Sequence, residues 1–168
     1  MIHLAPRPGA PDYSHDLDAV LEAARRDAAT LETAGFDGIM VENFGDAPFF
    51  ADDVPKVTVA AMTRAVVAIR DAVALPIGVN VLRNDALAAM AVAATTGAAF
   101  IRVNVLSGTM WTDQGQISGR GAELARLRRS IAPDVAVMAD VFVKHATPPP
   151  GLTIEQATHD LSGRGGAD

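Results

Sequence analysis

The chain has 168 residues, of which 49% are hydrophobic and 20% charged, as in an ordinary globular domain. It has no cysteine, which excludes disulfide bonds, thiol catalysis and cysteine-ligated zinc. A net charge of −6 without a basic cluster argues against nucleic acid or anionic lipid as a partner. No apolar run approaches the ~18 residues of a membrane-spanning helix, and the N-terminus lacks the apolar run of a signal peptide. We therefore predict a cytoplasmic protein without a transmembrane segment.

Short β-branched runs alternate with alanine-rich stretches of helical spacing. The predicted strands are Ile2–Leu4, Gly38–Asn43, Ile77–Leu82, Phe100–Val105 and Val135–Val141. The predicted helices centre on residues 17–31, 59–73, 87–94, 124–131 and 154–161, the last opened by a capping box of Thr153 and Gln156. Left-handed glycines are expected after helices at Gly35, Gly97 and Gly163. This alternation predicts right-handed βαβ units and a parallel sheet.

The two faces of the predicted strands differ, and this difference favours a barrel over a doubly wound open sheet. One face is bulky and apolar, whereas the other becomes polar toward the strand ends. An open sheet covered by helices on both sides would be apolar on both faces. Long loops after the strands and short loops before them suit either architecture. We therefore predict an α/β fold, a partial (β/α)8 TIM barrel with about five βα units.

The length of the chain bears on how complete this barrel is. A complete barrel usually takes about 250 residues. We therefore expect residues 1–168 to form a single incomplete barrel domain, with strands one to five present and strands six to eight missing. Unpaired sheet edges are templates for association with another chain, so we also expect self-association through them.

Polar residues gather at the carboxyl ends of the predicted strands, where barrels bind their ligands. The set comprises His3, Glu42, Asn43, Asn80, Arg102, Asn104 and Asp140. Glu42 and Asp140 are candidate catalytic residues, as an acid and a base. The guanidinium of Arg102 suits the binding of a phosphate or carboxylate, and the other members are candidate ligand-binding residues. In the alternative interpretation, Arg102 only neutralises the two acids in a buried ion network.

Three further features of the sequence bear on its chemistry. His3, Glu42 and Asp140 offer donors that suit a metal, but no closely spaced histidine pair accompanies them, so we predict no metal ligands and assign no cofactor. Lys144 and His145 follow the fifth strand, and we predict that this charged pair contacts ligand or solvent rather than forming a Schiff base; we count both as candidate ligand-binding residues. The loop 106–120 lacks the phosphate-loop pattern GxxxxGKS/T, which leaves a nucleotide triphosphate unsupported.

Six segments at the strand ends together resemble the BtpA/SgcQ family. They are residues 1–4, 41–49, 78–85, 101–105, 112–115 and 139–146. The resemblance implies a ribulose-phosphate-binding-type TIM barrel of roughly 250 residues or more, to whose N-terminal two-thirds this chain is similar. One branch of the family is associated with biogenesis or stability of photosystem I, peripherally at the thylakoid. Another branch resembles proteins encoded beside sugar uptake and metabolism.

Two functions remain open at this point. The first is binding or conversion of a small phosphorylated or carboxylated, sugar-like metabolite at the carboxyl ends of the strands. The second is a non-catalytic role in photosystem I biogenesis or stability. The polar strand ends favour the first, because a purely structural barrel has no need to bury Arg102, Glu42 and Asp140 together. Twelve arginines against two lysines indicate a GC-rich genome, which argues further against the photosynthetic role.

Overall fold

Five parallel strands form the main sheet of the computed structural model, which describes residues 1–168. They are β1 (Ile2–His3), β2 (Ile39–Glu42), β3 (Ile77–Asn80), β4 (Phe100–Val103) and β7 (Ala136–Ala139). Their spatial order is β1-β2-β3-β4-β7, so each parallel strand lies beside the next one along the chain. A doubly wound sheet would reverse direction after its first strands, which this sheet does not do. The order confirms the α/β fold and is consistent with a partial TIM barrel.

Five α-helices alternate with these strands, as predicted. They are α1 (Leu17–Thr33), α2 (Lys56–Arg70), α3 (Ala86–Thr96), α4 (Gly121–Ile131) and α5 (Ile154–Asp160). The capping box of Thr153 and Gln156 opens α5, and Gly97 ends α3 with a φ of 73°. The expectation for Gly163 is wrong. The chain continues through a π-helical turn at 161–165, so the left-handed residue is Gly166, with a φ of 75°.

The helices cover the apolar face of the sheet and form the core with it. Along the chain α1 contacts α2, α2 contacts α3, and α3 contacts α4. The buried strand residues in this core include Ile39, Val41, Ile77, Val79, Ile101, Val103 and Val137. The predicted apolar face is therefore confirmed for β2, β3, β4 and β7. Val105 instead belongs to a smaller cluster with Met110, Ile117 and Val143.

The opposite face of the sheet differs from the apolar face that packs in the core. Gly78 of β3 and Phe100 of β4 are register partners there, and a Cβ atom on Gly78 would overlap the Phe100 ring. The glycine therefore allows this ring to lie across the sheet. Met138 of β7 also faces this side, with half of its surface exposed. This face corresponds to the interior of a barrel.

A second, antiparallel sheet lies in the long loops after the fourth and fifth parallel strands. It consists of β5 (Thr109–Thr112), β6 (Gly115–Ser118) and β8 (Ala146–Thr147), in the order β6-β5-β8. No strand was predicted in these loops from the sequence. Met110 and Ile117 pair across the β5–β6 hairpin and are buried in the smaller cluster, which drives its formation. Gly115, with a φ of 94°, closes the turn.

Asp168 lies along the outer edge of β7. Its backbone N–H donates to the Val137 carbonyl at 3.0 Å, and its Oδ2 accepts from the Val137 N–H at 2.8 Å. The outward backbone groups of Val137 are therefore already hydrogen-bonded, whereas β1 forms the other edge of the sheet. None of the helices combines the length and the apolarity that a membrane crossing requires.

Candidate functional site

A cavity of about 670 Å³ opens at the carboxyl ends of the parallel strands. Six of the residues predicted for the site line it: His3, Glu42, Arg102, Asn104, Lys144 and His145. Its other lining residues are Met1, Phe44, Phe49, Leu82, Arg83, Asp113 and Val143. Volumes of about 300–1,000 Å³ with a few convergent polar groups are typical of small-molecule sites.

Arg102 is the centre of an ion network at this cavity. Its Nε and Nη2 donate to the two oxygens of Asp140 at 3.0 and 2.8 Å, and its Nη1 donates to Glu42 Oε1 at 2.7 Å. Hydrogen bonds to Asp140 raise the pKa of Arg102 above its ordinary value, against the opposing effect of burial. The structure therefore contains the network that the sequence left open as the alternative to an anion clamp.

Asn80 and Asn104 support this network from neighbouring strand ends. Asn104 Nδ2 donates to Asp140 Oδ2 at 3.2 Å, and Asn80 Nδ2 donates to Asn104 Oδ1 at 3.1 Å and to the Arg102 carbonyl at 2.8 Å. Asn80 is buried and lies outside the lining of the large cavity. Asp140 and Asn104 line an adjoining cavity of about 200 Å³ beside α5. Of the two predicted catalytic carboxylates, only Glu42 lines the large cavity.

His3 forms part of an aromatic wall of the cavity. Its ring stacks on Phe44 with the centroids 4.3 Å apart and the planes at 13°. His3 and Glu42 are register partners on β1 and β2, and His3 Nε2 lies 3.7 Å from Glu42 Oε2. Because Arg102 binds the other oxygen of Glu42, Oε2 is the oxygen left for further contacts.

Asn43 is engaged with the backbone of the loop after β3. Its Nδ2 donates to the Leu82 carbonyl at 3.1 Å, and its Oδ1 accepts from the Leu82 N–H at 2.5 Å. Asn84 does the same with Val105, at 3.0 and 2.7 Å. These amides replace a strand partner, which explains why β3 and β4 end before the predicted Leu82 and Val105. Asn43 also lines a separate cavity of about 340 Å³.

Arg83 is a cavity residue that the sequence analysis did not single out. It is 8% exposed, and its Nη2 donates to the Lys144 carbonyl at 2.6 Å. No carboxylate oxygen lies within 4.0 Å of its guanidinium nitrogens. Burial lowers the pKa of Arg83, because no close partner offsets the lost hydration. The short turn between β3 and α3, unlike the other loops after strands, was the signal in the sequence that could have drawn attention to it.

Asp52, Asp53 and Asp85 form the one cluster of three potential metal ligands. The oxygens of Asp85 accept from the N–H groups of Ala88 and Val54, each at 2.8 Å, so this carboxylate caps α3. Arg120 Nη1 lies 3.3 Å from Asp52 Oδ2 and 3.0 Å from Asp53 Oδ1. The cluster is thus explained by a helix cap and an ion pair. The residues weighed earlier for a metal, His3, Glu42 and Asp140, are instead joined through Arg102 or to each other.

The singly wound sheet, its helices on one face and the cavity at its strand ends define a barrel-type α/β protein. The particular family follows from comparison with known sequences. The model of the BtpA family matches residues 1–168, and the chain belongs to this family.

Relatives of the chain occur in organisms of very different kinds. It is 57% identical over 148 residues to a protein of Thermococcus kodakarensis, covering 87% of this chain and 56% of that one. It is 48% identical over 168 residues to the photosystem I biogenesis protein BtpA of Synechocystis, covering 100% of this chain and 58% of that one. A mitochondrial protein of Caenorhabditis elegans is 32% identical over 168 residues, covering 96% of this chain and 60% of that one. The chain therefore spans less than two-thirds of the length of these relatives.

Proposed function

We propose that the protein binds, and in its complete catalytic context converts, a small phosphorylated or carboxylated, sugar-like metabolite in the 670 Å³ cavity. One observation carries the proposal: cationic groups and an available carboxylate oxygen line the same cavity at the carboxyl ends of parallel strands. Barrel enzymes place their active sites at this end of the sheet. A cavity with both charges suits a ligand that has an anionic group and several hydroxyls.

Glu42 is the residue best placed for acid–base work in this proposal. Its Oε2 faces His3 and can accept a hydrogen bond from a ligand hydroxyl, while Arg102 fixes its Oε1. Asp140 uses both oxygens on Arg102 and Asn104. In this arrangement Asp140 orients Arg102, which in turn orients Glu42. His3, Asn104, Lys144 and His145 supply further polar contacts from the cavity wall.

The second candidate function is a role in photosystem I biogenesis. It is favoured by the 48% identity to the Synechocystis protein of that name over the whole chain. Identity is equally high or higher with proteins of Thermococcus kodakarensis and Methanocaldococcus jannaschii, whose names carry no such role. Sequence similarity to the Synechocystis protein therefore does not single out this function, and the cavity favours the first.

Ligand binding can be tested by NMR titration of the protein with D-ribose 5-phosphate, D-gluconate and uncharged D-ribose. We expect at least one charged probe to shift the resonances of His3 and Asn104, and Glu42→Gln to weaken that binding. Glu22→Gln is the matched control, because Glu22 is exposed on α1 and pairs only with arginines of its own helix. Absence of binding by both charged probes, or equal effects of the two glutamate variants, would contradict the proposal.

A further inference from the structure

We infer that Arg83 and Lys144, rather than Arg102, form the anion-binding end of the cavity and take the phosphate or carboxylate group of the ligand. This inference rests on the proposed function and assigns its ligand an orientation. Arg83 lies in the turn after β3 and Lys144 in the loop after β7, and both line the cavity. The network around Arg102 marks the other end.

The hydrogen-bond partners of the two arginines differ in the way that matters for anion binding. Arg102 has three guanidinium nitrogens bonded to the carboxylates of Glu42 and Asp140. Arg83 uses only Nη2, and its partner is a neutral carbonyl. Its Nε and Nη1 have no protein partner and are not among the buried unpaired atoms, so they remain accessible from the cavity. A guanidinium edge with free donors matches the two oxygens of a phosphate or carboxylate.

The charges around the two arginines also favour anion binding at Arg83. At one end, the single cation of Arg102 faces the two carboxylates of Glu42 and Asp140. At the other, Arg83 and Lys144 form no such ion pair, and the carboxylate with the largest electrostatic effect on Arg83 is that of Asp113 in the β5–β6 turn, with smaller effects from Asp140 and Glu42. An anion is therefore bound more favourably beside Arg83 and Lys144 than beside Arg102, whose charge is already matched by two carboxylates. The lowered pKa of Arg83 fits this division, because a bound anion would restore the interaction that burial removes.

The hydrogen bond from Arg83 to the Lys144 carbonyl also fixes the geometry of this end. It joins the loop after β3 to the loop after β7, so the backbone of Lys144 is held beside the Arg83 guanidinium before any ligand arrives. Preorganised donors cost little reorganisation on binding. A ligand anchored here directs its uncharged part toward Glu42 Oε2. The ligand class is thus a polyhydroxylated compound with one terminal phosphate or carboxylate.

The test compares affinities of D-ribose 5-phosphate, D-gluconate and D-ribose for the wild type, Arg83→Gln, Arg83→Lys, Lys144→Gln and the control Arg64→Gln. Arg64 is exposed and pairs with Asp18, so its variant removes one positive charge away from the cavity. We expect Arg83→Gln to weaken the charged probe that binds by about 10-fold to 100-fold, the effect of losing a charge-assisted hydrogen bond. Affinity for D-ribose should stay unchanged. Arg83→Lys keeps the positive charge, so it should lose less affinity for the charged probe than Arg83→Gln does.

Lys144→Gln keeps the inference testable if Arg83→Gln fails to fold. Lys144 is exposed, so its replacement should leave the fold intact. It should weaken the same charged probe selectively and reduce the salt dependence of binding. The relative affinity of the phosphate and carboxylate probes identifies the anion, and either order supports the inference. Wild-type affinity in both variants, or equal loss of D-ribose and the charged probe, would overturn it. Failure of both charged probes to bind the wild type would overturn the proposed function itself.

Discussion

Arg102 binds Asp140 through two hydrogen bonds, from Nε to Oδ1 at 3.0 Å and from Nη2 to Oδ2 at 2.8 Å. The same guanidinium reaches Glu42 at the end of β2, which is separated from β4 by β3. One side chain thus ties together the ends of three strands on the face opposite the apolar core. This makes Arg102 a positioning residue for the carboxylates and a contributor to stability.

We predict that Arg102→Met lowers the free energy of unfolding by about 2–4 kcal/mol. Breaking a fully buried ion pair costs about 3–5 kcal/mol, and we reduce this value because 26% of the Arg102 side chain is exposed. Urea denaturation measures the change. Adding Glu42→Gln should recover part of the loss, since an uncharged amide tolerates the missing cation better. The exposed control Arg64→Met should remain within about 0.5 kcal/mol of the wild type. A loss no greater than that of the control would contradict the positioning role.

A second prediction concerns the close contact between Gly78 and Phe100. The added methyl group of Gly78→Ala would overlap the aromatic ring, so we expect a loss of about 1–3 kcal/mol from overpacking. The double variant Gly78→Ala/Phe100→Leu should be more stable than Gly78→Ala alone, because the smaller side chain gives room. Thermal unfolding of Gly78→Ala, Phe100→Leu and the double variant checks this. If the stability changes of the two single substitutions simply add in the double variant, overlap with the Phe100 ring is not the cause of the loss in Gly78→Ala.

The third prediction is a pH dependence at Asp52. Burial raises the pKa of this carboxyl above its ordinary value of 3.8, opposed by the Asp53 N–H and by Arg120. A carbon-detected NMR titration should therefore place its midpoint above 3.8. Arg120→Gln should raise the midpoint further, because the opposing charge is lost. Arg126→Gln serves as the control, since Arg126 donates to a carbonyl of its own helix. A lower midpoint in Arg120→Gln would contradict the assignment.

The sign of this shift also predicts how stability responds to pH. The folded protein binds the Asp52 proton more tightly than the unfolded chain does. Ionisation of Asp52 therefore reduces stability as the pH rises from 3.8 through the raised pKa, with no further change above it. In urea denaturation, the difference between Asp52→Asn and the wild type should vary over this interval only.

The fourth prediction is that the 168-residue chain associates or remains partly ordered in solution. The edge of β1 and the exposed surface around Met138 favour contacts with a second copy. On the β7 edge, the backbone groups of Val137 are already hydrogen-bonded to Asp168. Size-exclusion chromatography should show oligomers, fewer in Met138→Glu. Ile131→Glu is the matched control, because Ile131 is 45% exposed against 50% for Met138 but lies on α4. A sharp monomer peak with protected amides in both Ile2–Leu4 and Val135–Val141 would contradict this prediction.

Strand parity explains why much of the site could be predicted from the sequence. The alternation of side chains in β2 and β4 is a local property, and it placed Glu42 and Arg102 on the inner face before any contact was known. The helices followed from equally local signals, such as the capping box at Thr153. Parity does not say which partners meet, so it cannot distinguish an anion clamp from an ion network at Arg102, whereas the distances in the structure do.

The elements that escaped prediction depend on contacts between distant parts of the chain. Strand β8 has two residues and exists because Trp111 and Thr112 of β5 supply its partners. Arg83 looks like an ordinary residue of a short turn, and its importance comes from what lies around it in the fold: a carbonyl contributed by Lys144 and no carboxylate close by. Asn43 follows a strand as a ligand-binding residue would, yet its amide is occupied by Leu82.

The pairing of β8 with β5 has a mechanical consequence for access to the cavity. Lys144 and His145 directly precede β8, and Asp113 follows β5, so residues from both loops line one wall. Backbone hydrogen bonds between the two strands couple these loops into a single flap. If this wall opens to admit a molecule, the hairpin and the segment after β7 must swing together. Amide exchange in Trp111 and Thr147 should therefore report the same opening event, although 36 positions of sequence separate them.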